Sequence, residues 1–143
     1  MSKGNTFEDD ILKLIFNGTP IANLADNAAS SPLTNLYLAL HTADPGETGL
    51  QTTSEVAYTG YARVAVARTA GGWTILNGSA SPVSAIEFGE MTSGTPGIAT
   101  HASIGTASSG GGKILYKGAL SPAINYNVGV VPRLRTTSTI TED

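Results

Sequence analysis

The sequence contains no cysteine, which excludes disulfide bridges and thiolate metal sites. Charged residues are scarce, at 13% of the chain against about 25% in a typical domain. The eight lysines and arginines are spread along the chain, so no basic block predicts a nucleic-acid partner. No apolar run is long enough to span a bilayer, and the beginning of the chain does not resemble a signal peptide. A membrane partner is therefore not expected.

The chain is instead rich in small, neutral residues. Its 143 residues fit a single domain, residues 1–143, with a net charge of −3. A surface with so little charge must be covered by serine, threonine, asparagine, glycine and alanine. Such a surface suits assembly, because few charges lose their hydration when a contact forms. The alternative is a chain of small neutral residues that binds no partner.

One segment near the beginning predicts a helix, Thr6 to Phe16. Thr6 can cap its first turn, and Asn17-Gly18 supplies a stop. Its apolar side chains at helical spacing are Phe7, Ile11, Leu14 and Ile15. This face is expected to pack against the protein's own sheet or against another subunit. The stretch that follows, Ile21 to Pro32, is predicted to be irregular.

The segment Thr34 to Arg68 predicts two strands joined by a long polar loop. Leu36, Leu38 and Leu40 alternate with other residues at period two, which indicates a strand with one buried face. Asp44-Pro45-Gly46 predicts a turn at its end. Beyond the loop, Val64 and Val66 point to one side of a second strand, so the pair suggests a hairpin or Greek-key arm.

The remaining chain continues in short strands. They are predicted at Trp73–Leu76, from Ser81-Pro82 onward, at Ile86–Phe88, Ile98–Gly105, Ile114–Tyr116 and Ile124–Val131, with a β-prone tail at Thr136–Thr141. Asn77-Gly78 predicts a hairpin turn, and the run 108–112 predicts a flexible one. Gly118 and Pro122 are expected to end the strand before them. In Ile98–Gly105 the predicted buried face is Ile98, Ala102 and Ile104.

About eight strands and one short helix predict an all-β fold. Their spacing favours an antiparallel β-sandwich of the jelly-roll type. Within one domain, residues 1–33 would form the helix and an irregular arm, and residues 34–143 the sandwich.

No residue pattern predicts catalysis, so the protein is not expected to be an enzyme. The two histidines are His41 and His101, and no Gly-x-Ser-x-Gly elbow accompanies them. His41 with Asp44 supplies two metal ligands without a third. Glu47 and Glu55 lie in the polar loop, where nothing fixes the separation that paired catalytic carboxylates need, so they are interpreted as solvated acids. No cofactor, metal or small-molecule substrate is expected.

Two regions have the composition of a docking surface, the segment Ser2 to Ser31 and the loop Ala43 to Ala57. Long loops are often functional, and arginine forks can clamp a partner's carboxylates. The alternative for the arginines is ordinary surface solubility. The predicted partner-interface residues are Phe7, Ile11, Leu14, Leu50, Val56, Arg63, Arg68, Arg133 and Arg135.

Four segments carry a resemblance to a known family. They read LYLALHTADPGETGLQT (Leu36 to Thr52), YTGYARVAVAR (Tyr58 to Arg68), SIGTASSGGGKILYKGAL (Ser103 to Leu120) and TSTITED (Thr137 to Asp143). The chain resembles small structural proteins of tailed double-stranded DNA phages, and more specifically the jelly-roll cement proteins on capsids of short-tailed phages. Relatives of this kind are often labelled tail-fibre or hypothetical protein.

This resemblance implies a virion protein made in the host cytoplasm. It would bind the outer surface of the capsid and cement neighbouring subunits of the major capsid protein. A homo-oligomer is expected, most simply a two-fold dimer, because closed two-fold pairing is the commonest arrangement. The alternative function is a tail-fibre or tail-tip module that recognises a receptor on the host surface.

Overall fold

Nine strands and one helix make up the protein in a computed structural model, which describes residues 5–21 and 32–141. The elements are α1 (Asn5–Phe16), β1 (Asn35–His41), β2 (Val64–Ala67), β3 (Trp73–Leu76), β4 (Ser79–Pro82), β5 (Ile86–Glu87), β6 (Gly97–Gly105), β7 (Ile114–Tyr126), β8 (Arg133–Leu134) and β9 (Ile140–Thr141). The strands form antiparallel sheets, which confirms the predicted all-β class with one short helix. Within the described ranges, no helix is long and apolar enough to cross a membrane.

The chain divides into two compact units that each draw on several stretches of sequence. The first comprises Met1–Asn35, Val66–Ala85 and Arg135–Asp143, and the second comprises Leu36–Ala65 and Ile86–Leu134. The single domain with an arm at residues 1–33 stays a prediction. The irregular segment predicted for Ile21 to Pro32 lies outside the described residues apart from its two ends.

Helix α1 belongs to the first unit, where it packs on β3 and β4. Its fully buried side chains are Leu12 and Phe16, and the Phe16 ring lies 4.5 Å from that of Trp73. The face that packs within the unit therefore differs from the predicted one: Phe7 is 40% exposed, and Ile11 is only partly buried. Packing of the predicted face against another subunit stays a prediction. The position of Trp73 decides which side of the helix turns inward, and helical spacing alone could not reveal it.

The hairpin β3–β4 confirms the turn predicted at Asn77-Gly78. Leu76 pairs with Ser79, and both turn residues have positive φ, 51° and 69°, as a two-residue turn of this hand requires. The Gly78 N–H donates to Oδ1 of Asp9 at 2.5 Å, which ties the turn to α1. Strand β9 pairs with the other side of β4 and confirms the strand character of the tail.

The largest sheet has the order β2-β1-β6-β7, and most of its residues belong to the second unit. In β1 the predicted buried positions Leu36, Leu38 and Leu40 are buried. Ala39 and His41 on the opposite face are buried as well, so the expectation of a single buried face is wrong. The loop after β1 contacts His41, whose Nδ1 lies 2.8 Å from the Thr53 carbonyl.

Strands β6 and β7 depart from the sequence-based prediction. Their register shifts between Ala99 and His101, which leaves Ile98 50% exposed and buries Ala99 and Ser103 instead. Strand β7 runs for 13 residues and does not end at Gly118 or Pro122. It lies at the edge of the sheet, and residues 120–123 fall where its pairing with β6 is interrupted. A proline is tolerated there because no ladder hydrogen bond requires its N–H.

The predicted last core strand, Ile124 to Val131, exists only in part. Its first three residues complete β7, and the chain then leaves the sheet. Val128 and Val131 are exposed.

Candidate functional site

The loop that follows β1 begins with the predicted turn. The Gly46 N–H donates to Oδ1 of Asp44 at 2.9 Å, and Gly46 has φ of 75°. Lys117 of β7 bridges Asp44 at 3.1 Å and Glu47 at 3.0 Å. The Gly46 N–H, and then Lys117, lower the pKa of Asp44, while Glu47 and then Asp44 raise the pKa of Lys117. These groups are solvated, so the ion pairs place the loop without adding much stability.

Gln51 fastens the middle of the loop to the sheet. Its side chain is fully buried, donates from Nε2 to the Tyr37 carbonyl at 2.9 Å and accepts the Ala107 N–H at 3.1 Å. The absence of a side chain at Gly105 and Gly112 makes this possible, because a Cβ at either position would overlap the Gln51 side chain. A glutamine in a polar stretch is expected to be solvated, so the sequence did not predict this contact.

Arg63 joins the same loop to the β6–β7 turn. It donates to both carboxylate oxygens of Glu55 at 2.7 Å, and also to the carbonyls of Ala107 at 2.9 Å and Gly110 at 2.8 Å. Its pKa is raised, chiefly by the hydrogen bonds to Glu55. The interpretation of Glu55 as a solvated loop acid is therefore wrong, because Arg63 holds it against the fold. The turn predicted to be flexible is also held, through the carbonyl of Gly110.

His41 of β1 also binds the loop. Its Nδ1 lies 2.8 Å from the Thr53 carbonyl and its Nε2 lies 2.7 Å from Oγ of Ser103. A carbonyl only accepts, so Nδ1 carries the proton and Nε2 accepts from the serine hydroxyl. Burial lowers the pKa of His41, which favours this neutral form.

The His41–Ser103 pair does not have the geometry of a hydrolase triad. A backbone carbonyl occupies the place of the carboxylate, and both side chains are buried. Asp44 bonds Gly46 and Lys117 instead. In the part of the chain that the structure describes, no three histidine or acidic side chains come together as metal ligands do.

Arg68 is engaged in the first unit. Its guanidinium donates to the carbonyls of Ile15 at 2.6 Å, Leu14 at 2.8 Å and Leu33 at 2.6 Å. The carbonyls at the end of a helix lack intrahelical partners, so Arg68 satisfies the end of α1 with a positive charge.

The remaining predicted interface residues differ in accessibility. Val56 is buried, whereas Phe7 and Leu50 are exposed, and Leu14 is partly buried. Arg133 is exposed and pairs with Glu87 at 2.5 Å across β5 and β8. Arg135 is also exposed.

A surface groove of about 710 Å³ opens beside the Arg63–Glu55 pair, within the second unit. Its lining includes Thr52, Glu55, Ala57, Tyr58, Thr59 and Tyr61. The two tyrosine rings meet edge to face at 5.4 Å, and Tyr61 stacks on Phe88 at 6.0 Å. Burial raises the pKa of both tyrosines, so their hydroxyls stay protonated. This groove was not predicted from the sequence.

The family described as podophage GP4 fiber I protein gp80 matches residues 3–141 of the chain. The chain belongs to this family. No curated protein matches it. The fibre I family confirms the broad expectation of a structural protein of short-tailed phages, and thus of a virion-associated protein.

Proposed function

We propose that the protein is a non-enzymatic adhesive module of a tail fibre. The observation that carries this proposal is the match of a fibre I family to nearly the whole chain, residues 3–141. The module would act by holding other virion proteins and by presenting a surface to the host receptor. Adhesion of this kind needs a rigid body and accessible contacts, and no reacting group.

The rigidity comes from the contacts that hold the loop 43–57 in place. Three side chains make these contacts. The buried Gln51 bonds to β1, His41 bonds to β6, and the Glu55 carboxylate pairs with a guanidinium that also binds the β6–β7 turn. The accessible contacts would be apolar. Phe7 and Leu50 are both exposed, and neither has a charge to desolvate on docking.

A second candidate is the cementing of the major capsid protein on the outer capsid surface. It is favoured by the resemblance of Leu36 to Thr52 and Ser103 to Leu120 to capsid cement proteins, and by the low charge of 13%. Both candidates share the adhesive mechanism and self-association, as a two-fold dimer for the cement protein and as a trimer for the fibre module. They differ in where the protein lies on the virion.

The burial of Ser103, the serine that bonds to His41, supports the proposal that the protein is not an enzyme. Ser103 is 2% exposed, and its hydroxyl donates to a histidine that no carboxylate orients.

The deciding experiment is cryo-electron microscopy of virions, with the chain fitted into the density. Density in a fibre at the tail supports the leading proposal, and density on the shell between capsid subunits supports the second. Absence of the chain from purified virions contradicts both.

A matched test of the contacts uses point substitutions in the phage. Phe7→Ser and Leu50→Ser should each lower the amount of the protein on virions, and Ile98→Ser, which is equally exposed but outside the predicted interface, should not. Deletion of residues 2–17 is unsuitable, because it also removes the core residues Leu12 and Phe16. Binding through apolar contacts should change little with salt. A steep salt dependence would point to Arg133 and Arg135.

A further inference from the structure

The groove beside Glu55 combines an apolar wall with polar groups at its edges. Thr52, Ala57 and Thr59 are exposed along it, and its apolar lining comes from Ala57 and the half-buried Tyr61, with the buried Tyr58 beside them. Its volume, about 710 Å³, is in the range of small-ligand sites. It is open to solvent along its length, so it suits an extended ligand that lies on the surface.

The carboxylate of Glu55 is fixed in the groove. Oε1 accepts from Nε of Arg63 at 2.7 Å and from the Tyr61 hydroxyl at 3.2 Å, whereas Oε2 accepts from Nη2 of Arg63 at 2.7 Å. A carboxylate oxygen can accept two hydrogen bonds. Oε2 therefore retains capacity for a donor from a ligand, and the ligand pays little entropy for ordering this side chain.

The charge of Glu55 is already compensated. Arg63 is buried beside it and directs its guanidinium at the carboxylate, so the pair contributes no net charge to the groove. A cation would gain little there, and an anion would be repelled by the carboxylate. A neutral ligand with hydroxyl donors fits this arrangement best.

The hydroxyls of both tyrosines are engaged within the protein, so the accessible part of Tyr61 offers carbon surface to the groove. The Tyr58 hydroxyl donates to the Gly89 carbonyl at 2.7 Å, and the Tyr61 hydroxyl accepts from the Leu40 N–H at 3.0 Å. Stacking on Phe88 further restrains the Tyr61 ring. A restrained apolar surface next to a fixed acceptor complements a ligand with both C–H and O–H groups.

We propose that this groove binds a neutral saccharide. The C–H groups of a sugar ring would lie against Ala57 and the accessible part of Tyr61, and a sugar hydroxyl would donate to Oε2 of Glu55. The threonine hydroxyls of Thr52 and Thr59 would supply further hydrogen bonds along the groove. The biological use of the site as a receptor contact rests on the proposed function, but the binding itself does not.

The test is NMR titration of the whole protein with a panel of neutral disaccharides, maltose, cellobiose and diacetylchitobiose. At least one should give saturable shifts of the Thr52, Thr59 and Gly94 amides, with a dissociation constant on the order of 1 mM. Glucosamine and tetramethylammonium are the cationic probes, and glucuronate is the anionic one. They should bind more weakly than the best neutral sugar.

Two variants locate the site. Ala57→Trp places a large ring in the groove and should weaken binding by about tenfold or more. Ala70→Trp, at an exposed turn of the other unit, is the matched control and should leave binding unchanged. If Ala57→Trp does not fold, Thr59→Val tests the same site, with an expected loss of roughly three- to tenfold.

Three results of the ligand titrations overturn the inference. They are no saturable shift with any neutral disaccharide at concentrations on the order of 10 mM, binding that Ala57→Trp leaves intact, and preferential binding of the cationic probes. A second copy of the chain in the groove would appear as shifts that depend on protein concentration without sugar, and it would also overturn the inference. If no saccharide binds, the virion density still decides the fibre assignment. The saccharide proposal and the fibre proposal can therefore fail independently.

Discussion

Arg63 holds Glu55 through two parallel hydrogen bonds, from Nε to Oε1 and from Nη2 to Oε2, each 2.7 Å long. The arginine side chain is 2% exposed and that of the glutamate 17%. The same guanidinium also binds the carbonyls of Ala107 and Gly110. One side chain thus connects the loop after β1 to the turn between β6 and β7.

Arg63→Ala should lower the free energy of unfolding by about 3 kcal/mol, because it removes two charged hydrogen bonds from the partly buried Glu55 carboxylate and one from each of the carbonyls of Ala107 and Gly110. Arg133→Ala is the matched control, since its pair with Glu87 is more than half exposed on both sides. That substitution should cost less than about 1 kcal/mol. Urea denaturation of both variants measures the difference, and equal losses would contradict the structural role of Arg63.

Arg68→Ala should loosen helix α1 from its unit. The substitution removes three hydrogen bonds to the carbonyls of Leu14, Ile15 and Leu33, and with them the positive charge at the helix end. We expect a loss of about 2 kcal/mol and faster amide exchange across α1. Arg135→Ala at an exposed position should leave both quantities nearly unchanged. Unaltered exchange in α1 of the Arg68 variant would refute this role.

Gly105→Ala should destabilise the second unit by about 1–3 kcal/mol, because the new methyl group overlaps the buried Gln51 side chain. Gly118→Ala, on the neighbouring strand β7, meets no atom within 4 Å. It should be neutral or stabilising by up to about 1 kcal/mol. Thermal unfolding of the two variants makes the comparison, and a neutral Gly105→Ala would show that Gln51 can leave its position.

The stability of the protein should fall as the pH drops below about 6.5, the ordinary pKa of histidine. Burial lowers the pKa of His41 in the folded state, so the unfolded chain takes up its proton first. The stabilisation is present above the unfolded pKa and is lost progressively until the folded pKa is reached. Denaturation at a series of pH values should show this slope in the parent protein and a smaller one in His41→Gln. An identical slope in both would assign the effect to other groups.

The sequence by itself determined the local features of the fold. The turn at Asn77-Gly78, the turn at Asp44-Pro45-Gly46 and the extent of α1 follow from backbone preferences of a few adjacent residues. The alternation of Leu36, Leu38 and Leu40 likewise located one buried face of β1. These predictions are confirmed because each depends on interactions within a few positions along the chain.

Only the tertiary structure decided the roles of the polar side chains. Arg63 meets the carbonyl of Gly110 from 47 positions away, and Arg68 meets that of Ile15 from 53. No local pattern marks such partners, so two arginines predicted to contact another protein turned out to be bound within their own units. The groove at Glu55 also depends on the tertiary structure. Its lining residues form one surface only when these long-range contacts fix the loop beside the sheet.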